Sequence, residues 1–393
     1  MLVRKIMKKR LAFVMYEMTI GGTEKVLAEM LKNIDYKRYD VDLWVCKPNG
    51  EFSHLVPKNV EIRCYGEHST KEQMKLLLKK GDIGGIACAL FYRIILRFFA
   101  NNWMQHDIYA AKARRSGERY DCVIAYQAIS FHVVTAALYQ LNAPKKIAWL
   151  HGFSTVKKDQ ISIMHREYGR FDRIFHVSEA CQQRFCEVFS GMREKTAVFY
   201  NMYDAQDVNS KANCAIEEEL AHTSITTVGR LSKEKGQQMV PATVRLLLDA
   251  GYDVYWYLVG DGYLREEVES EIKKHHVENH VILLGAQMNP YPYIKNCDIY
   301  VQPSFIEGYC TTTVEAKILH KPIVTTDAPG MREQFISGEN GLIVDTMTPE
   351  ALAEGIKKLL NHPELREKFR DALKKESHDN SRELQKLYDF IES

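Results

Sequence analysis

Glu307 and Glu315 lie eight positions apart in VQPSFIEGYCTTTVEAKILHKP (301–322), a stretch that reads as strand, turn and helix. Ile299-Tyr300-Val301 makes the strand, Pro303-Ser304 breaks it, and a helix opens near Thr311 or Thr312. A helix that starts straight after a sheet strand turns unpaired N–H groups and the positive end of its dipole toward whatever lies beyond the strand end. Such a place takes an anion. At 1.5 Å per residue, eight positions would span roughly 12 Å of helix, so the two carboxylates straddle that N-terminus and can reach past either end of a bound diphosphate. A carboxylate accepts two hydroxyls at once, which suits the vicinal diols of a hexose and a ribose. On spacing alone, a solvated loop glutamate and an ordinary helix glutamate explain the pair equally well.

Other residues invite similar chemistry. Arg230 and Lys235 flank a turn after the strand Ile225–Gly229, in GRLSKEKG. A planar guanidinium fork and a point charge there can meet phosphate, though a solvated turn reads equally well. Gly21 and Gly22 follow the apolar run Leu11–Tyr16, where glycines let backbone approach a substrate closely; a Gly-Gly pair is more often simply a turn. The GxGxxG of a dinucleotide site is missing, which weakens an oxidoreductase reading. His151 ends the strand Lys146–Leu150, at the edge where open α/β sheets bind ligands, yet a lone His is more often structural. Asp40 and Asp42 alternate with Val41 and Leu43 along a strand and are expected to face solvent rather than hold a metal.

The elements that must position these groups are strands alternating with helices, so the expected class is doubly wound α/β. At 393 residues the chain exceeds one core. The expected domains are 1–204, 205–375, and a last helix in 376–393, with the polar stretch 205–221 as the linker. Nine Cys without a CxxC argue against a disulfide framework or a zinc site and fit a reducing cytoplasm. The N-terminal basic-then-apolar run is too short for a signal peptide and reads as a first strand.

Charge is uneven. Residues 1–204 hold 32 Lys and Arg against 21 Asp and Glu, whereas 205–393 hold 21 against 30. Within 71–115, nine basic residues face three acids around IACALFYRIILRFFANNWM, with Arg93 and Arg97 one helical turn apart. That run is too interrupted to span a bilayer, but a basic aromatic helix can lie in the interface of an anionic membrane; packing on the sheet is the alternative. Nucleic acid is not expected, since the basic residues are not interleaved with a stacking platform.

The setting PSxxEGYxxTxxEA, together with GR(x4)KG at 229–236 and GGxE at 21–24, resembles the retaining glycosyltransferases of family 4. The likeness covers nearly the whole chain and is strongest over 225–345. It implies the GT-B fold: two Rossmann-like domains facing a cleft, with the C-terminal helix crossing back to the first. It also implies roles. Glu307 holds the donor sugar and Glu315 the ribose, while amides of Tyr309, Cys310 and Thr311 cradle the phosphates and Gly308 also lines the donor site. Arg230 and Lys235 neutralise the leaving diphosphate, Gly21 and Gly22 touch a donor phosphate, His151 faces the sugar, and the strand ending at Gly285 meets the base. Lys317 stands where a small residue is usual, and His320-Lys321 replaces Gly-x before Pro322.

The function so implied is transfer of a hexosyl unit, without metal or cofactor, from a nucleoside-diphosphate sugar to a glycan or lipid-linked acceptor in surface polysaccharide synthesis. Uridine is the expected base by frequency in the family. The expected location is cytoplasmic, peripheral on the inner membrane face. A non-catalytic nucleotide-sugar-binding subunit and a sugar-nucleotide epimerase of the same fold are the alternatives.

Overall fold

The computed structural model describes residues 7–65, 110, 113, 115–153, 156–216, 220, 221 and 223–393. The 71–115 stretch that carries the membrane expectation therefore lies outside the described residues, apart from 110, 113 and 115. The chain forms two compact units, one of Met1–Val177, Gln182–Phe199 and Glu383–Ser393, the other of Ser178–Cys181 and Tyr200–Arg382.

Among the described residues, the first unit is built on seven strands: β1 (Lys9–Glu17), β2 (Tyr39–Lys47), β3 (Glu61–Cys64), β4 (Cys122–Ala125), β5 (Lys145–Leu150), β6 (Arg173–His176) and β7 (Thr196–Val198). They pair in parallel in the order β3-β2-β1-β4-β5-β6-β7. Leu11–Met15 of β1 are all fully buried, because a strand covered by helices on both faces reads as a continuous apolar run. The order reverses between β1 and β4, and at such a switch point the loops leaving the strands' carboxyl ends part to leave a crevice.

The C-terminal helix Glu383–Glu392 belongs to this unit. Leu384, Leu387, Tyr388 and Ile391 recur at helical spacing and are buried. Tyr388 stacks on Tyr39 at 5.0 Å and its hydroxyl accepts the Asp35 N–H at 2.9 Å. Cations gather where the helix dipole is negative: Lys145 donates to the Phe390 carbonyl at 2.8 Å, and Lys9 to the Ile391 carbonyl at 3.1 Å.

One expectation needs correction here. Asp40 is exposed and paired with Lys8, but Asp42 is largely buried, and its Oδ2 accepts from Arg10 and the Tyr120 hydroxyl and forms an ion pair with Arg63. The alternation holds; a buried carboxylate is tolerated because two guanidinium groups compensate it.

The second unit holds β8 (Ser224–Val228), β9 (Tyr255–Val259), β10 (Val281–Gly285), β11 (Ile299–Gln302), β12 (Ile323–Thr326) and β13 (Leu342–Val344). All are parallel, in the order β10-β9-β8-β11-β12-β13, with the switch between β8 and β11. The sheet is covered on both faces. Ile299 and Val301 pack with Trp256, Val324 and Leu352 on one side, while Tyr300 between them packs with Val259, Ala316 and Ile323 on the other. The polar stretch expected as a linker instead contains the helix Ala205–Lys211, whose N-cap Asp204 accepts from the Asp207 amide, within the second unit.

Among the described residues no helix is long and apolar enough to cross a membrane, and no group of three or more His, Cys, Asp or Glu is arranged to hold a metal ion.

Candidate active site

Both loops at the β8/β11 switch point carry charge. β8 runs into Gly229-Arg230 and a short 3-10 turn, Lys233–Lys235, that ends on Gly236 in the left-handed conformation (φ +71°). A Cβ on Gly236 would lie 1.9 Å from the Pro303 carbonyl oxygen, so only glycine lets this turn press against the loop leaving β11. That loop is tied to the turn by backbone: the Phe305 and Ile306 amides donate to the Glu234 carbonyl at 2.8 and 3.2 Å.

The contact brings Lys235 onto Glu307. Lys235 Nζ donates to both carboxylate oxygens, at 2.7 and 2.8 Å, and Ser304 Oγ donates to Oε1 at 2.6 Å. The Glu307 side chain is 6% exposed and that of Lys235 25%. Burial works to lower the Lys235 pKa, but the adjoining carboxylate of Glu307 outweighs it, and the ammonium is held above its ordinary value. Arg230 is exposed, its carbonyl accepts from Ser232 Oγ at 3.4 Å, and its side chain makes no hydrogen bond or ion pair among the described residues. One cation is thus committed to Glu307, and another, exposed on the same loop, has no side-chain partner among the described residues.

The helix Thr311–Ile318 follows, with Cys310 at its N-cap making no side-chain bond to the first-turn amides. Burial, then the nearby Glu307, pushes the Cys310 thiol up to about 11, so it is an uncharged small filler rather than a nucleophile. The Gly308 carbonyl accepts from Ser178 Oγ at 2.6 Å, and Tyr309 packs on Tyr200 at 5.5 Å between ring centres. Glu315 lies inside the helix, 3% exposed, with the Tyr291 hydroxyl 3.4 Å from its Oε1. Gly285 ends β10 with φ +70°, and its carbonyl takes the Gly260 N–H at 2.8 Å; a Cβ there would meet nothing within 4 Å.

The unusual residues after Glu315 find local explanations. Lys317 is buried, donating to the Gln334 carbonyl at 2.8 Å and pairing with Glu376 at 2.6 Å. His320 has φ +53°, the left-handed helix-ending conformation that glycine adopts most easily.

In the first unit, β1 leads to Gly21, the extended N-cap of the helix Gly22–Lys32. A Cβ on Gly21 would lie 2.4 Å from Glu24 Oε2, so a side chain there would have to displace that carboxylate. Gln127, just past β4, donates to Glu24 at 3.4 Å, which links the loops on the two sides of the switch. His151 follows β5. Its ring lies 4.5 Å from that of Tyr126 and 6.5 Å from that of Trp149, and its buried Nε2 has no protein partner among the described residues.

Burial pushes His151 down to about 3, so the imidazole is neutral at physiological pH and Nε2 can serve one hydrogen bond to an incoming group. Below about pH 6.5 an unfolded chain's imidazole takes a proton that the folded one refuses until near 3. The stability is whole above that range and lost as pH falls, by about 2 kcal/mol from this group at pH 5. His151→Gln is expected to flatten the fall of the thermal midpoint between about pH 6.5 and 5; a slope equal to wild type would contradict this.

The structure thus brings Arg230, Lys235, Glu307 and the Gly308–Thr311 turn to one switch point, with Glu315 further along the helix and Gly285 at the end of β10, two strands from β8. Gly21, Gly22 and His151 lie on carboxyl-end loops of the other sheet. Sequence reasoning gave no role to Gln302 or Ser304, which the structure links by hydrogen bonds to Glu307. A polar residue closing the buried strand Ile299-Tyr300-Val301-Gln302 was the available signal.

Comparison with known proteins bears on the family and the fold. Residues 216–376 match the family described as glycosyl transferases group 1. The chain is 25% identical over 378 residues to N-acetylgalactosamine-N,N'-diacetylbacillosaminyl-diphospho-undecaprenol 4-alpha-N-acetylgalactosaminyltransferase of Campylobacter jejuni, covering 93% of this chain and 94% of that one. It is 30% identical over 262 residues to the glycosyltransferase MJ1178 of Methanocaldococcus jannaschii, covering 63% and 68%. Among solved structures, Anabaena HepE in complex with UDP-glucose shares the fold, with a TM-score of 0.72 at 18% identity over 98% of this chain and 99% of that one. With its paired parallel-sheet units of the GT-B fold, this chain belongs to the group 1 glycosyltransferases.

Proposed function

We propose that this glycosyltransferase moves a hexosyl unit from a uridine-diphosphate sugar to a glycan or lipid-linked acceptor in surface polysaccharide synthesis, with retained anomeric configuration and without a metal ion. The observation that carries the reading is the Lys235–Glu307 pair at the β8/β11 switch point and the head of the helix Thr311–Ile318, with Arg230, without a side-chain partner among the described residues, on the same loop as Lys235. Arg230, Lys235 and the first-turn amides supply positive charge where a leaving diphosphate develops its negative charge, the task a metal would otherwise perform. Glu307 and Glu315 are assigned the hydroxyls of the sugar and the ribose, and Gly285 the edge of the base. In the first unit, Gly21 and Gly22 are assigned a donor phosphate and neutral His151 a sugar hydroxyl.

Glu307 already accepts three hydrogen bonds, which suits a binding group better than a nucleophile. In the proposed step the bond from the anomeric carbon to the β-phosphate oxygen breaks while the acceptor oxygen bonds on the same face. The acceptor proton passes to the departing phosphate oxygen. The Campylobacter relative's name supports the acceptor class, since it specifies a diphospho-undecaprenol glycan. The basic first half supports peripheral contact with an anionic membrane at the cytoplasmic face.

The test is transfer from labelled UDP-N-acetylgalactosamine and UDP-glucose to undecaprenyl-diphosphate-linked sugar in EDTA, with NMR of the new linkage. An α-linked product at an undiminished rate is expected. An inverted linkage, or turnover that EDTA abolishes, would contradict the proposal. Flotation with liposomes that does not depend on anionic lipid would remove the membrane part.

A further inference from the structure

Glu307 is held from two sides, and only one of them is charged. Lys235 grips both oxygens, and Ser304 Oγ lies 2.6 Å from Oε1. An ionised carboxylate only accepts, so the single Ser304 proton points at Glu307. Ser304 Oγ must then accept in turn, and Gln302 Nε2 donates to it at 2.9 Å. That orientation leaves Gln302 Oε1 toward the Tyr300 hydroxyl at 2.8 Å and Thr312 Oγ1 at 3.1 Å, both donating. The Tyr300 oxygen receives the Val228 N–H at 3.4 Å. Tyr300, Gln302 and Ser304 are each 0% exposed, so water does not compete for these bonds. The charge on Glu307 therefore fixes the direction of every link, back to the last residue of β8.

The two holds respond differently to a ligand. A diphosphate at the turn competes for the Lys235 ammonium, because Lys235 is the cation nearest to Glu307 and its donors are finite. Ser304 is neutral and buried, and nothing anionic draws it off. Resting on the donor-site reading above, we infer that Ser304 and, through it, Gln302 are positioning residues that keep Glu307 Oε1 in its sugar-binding geometry when the nucleotide engages Lys235. Because the chain begins on β8 two residues before Arg230 and ends on Glu307, it also keeps the two loops of the switch point in register.

The experiment measures calorimetric affinity for UDP and the rate of UDP release from UDP-N-acetylgalactosamine and UDP-glucose. Ser304→Ala and Gln302→Met are expected to bind UDP within about twofold of wild type, which also shows that they fold. Release from the UDP-sugar slows about 10- to 100-fold, as loss of a hydrogen bond to a charged group implies. Ser304→Ala adds nothing in a Glu307→Gln background, and the Ser304/Gln302 double variant is no slower than Ser304→Ala alone. If Glu307→Gln is slow while Ser304→Ala and Gln302→Met turn over as wild type, the inference fails and the donor-site reading stands. If both variants lose UDP affinity, the residues are general structural support and the inference again fails. If wild type binds neither UDP nor a UDP-sugar, the donor-site reading falls and takes the inference with it.

Discussion

Lys235→Met will slow sugar transfer by about 10²- to 10³-fold, the range found when one preorganised donor to a developing negative charge is removed. Methionine keeps the length of the stem and deletes the charge, so the change isolates the ammonium. The same substitution will destabilise the second unit. Glu307 is 6% exposed, and without Lys235 its charge is left with the Ser304 hydroxyl as its remaining hydrogen-bond donor among the described residues. Removing one member of a buried pair costs about 3–5 kcal/mol, and the partial exposure of Lys235 places the expected loss near the lower end. Steady-state kinetics and thermal unfolding read the two effects separately. A variant with near-wild-type turnover would show that the pair is a structural strut rather than part of the donor site. Lys235→Met combined with Glu307→Gln should recover much of the stability and none of the activity.

Gly236→Ala is expected to cost at least about 3 kcal/mol in the second unit, from two separate causes. A φ of +71° disfavours any residue with a Cβ by about 1–2 kcal/mol. The added atom would also fall 1.9 Å from the Pro303 oxygen, and the obstacle is backbone, which no rotamer change can move aside. Relief requires the turn and the β11 loop to separate, stretching the bonds from the Phe305 and Ile306 amides to Glu234 and drawing Lys235 off Glu307. UDP affinity should therefore fall with stability. Hydrogen exchange at β8 and β11 amides is the appropriate probe, because it reports on the second unit alone. Exchange and UDP affinity both equal to wild type would mean that the turn does not need this close approach.

Much of this was legible in the chain because the relevant signals are local. Leu11–Met15 and Ile299–Val301 are unbroken apolar runs of the kind parallel strands require, and Pro349 and Pro363 mark helix starts that the structure places at those residues. The strand-turn-helix reading of 299–318 rested on a break at Pro303 and polar residues before Thr311, both short-range. What escaped was long-range. Asp42 alternates with apolar neighbours as a solvent-facing residue should, and only Arg10, Arg63 and Tyr120, distant in sequence, make its burial tolerable. Polar 205–211 read as linker, although Asp204 caps a helix there. The grip of Lys235 on Glu307 spans 72 positions, and nothing in either motif by itself forecasts that the two would bond. Gln302 was visible as an odd polar residue in a buried strand, but its role needs Tyr300, Thr312 and Ser304 in three dimensions.

The central claim is that the β8/β11 switch point of the second unit binds the nucleotide of the donor. The most direct test is thermal stability of wild type and Glu315→Ala with UDP, ADP, GDP and the corresponding nucleotide sugars. A ligand at a hundred times its dissociation constant adds about 2.7 kcal/mol, an easily measured rise in midpoint. The account predicts stabilisation of wild type by UDP and UDP-sugars over the purine nucleotides, and a clearly smaller shift in Glu315→Ala. No shift with any nucleotide, or a UDP shift that Glu315→Ala leaves untouched, would contradict it.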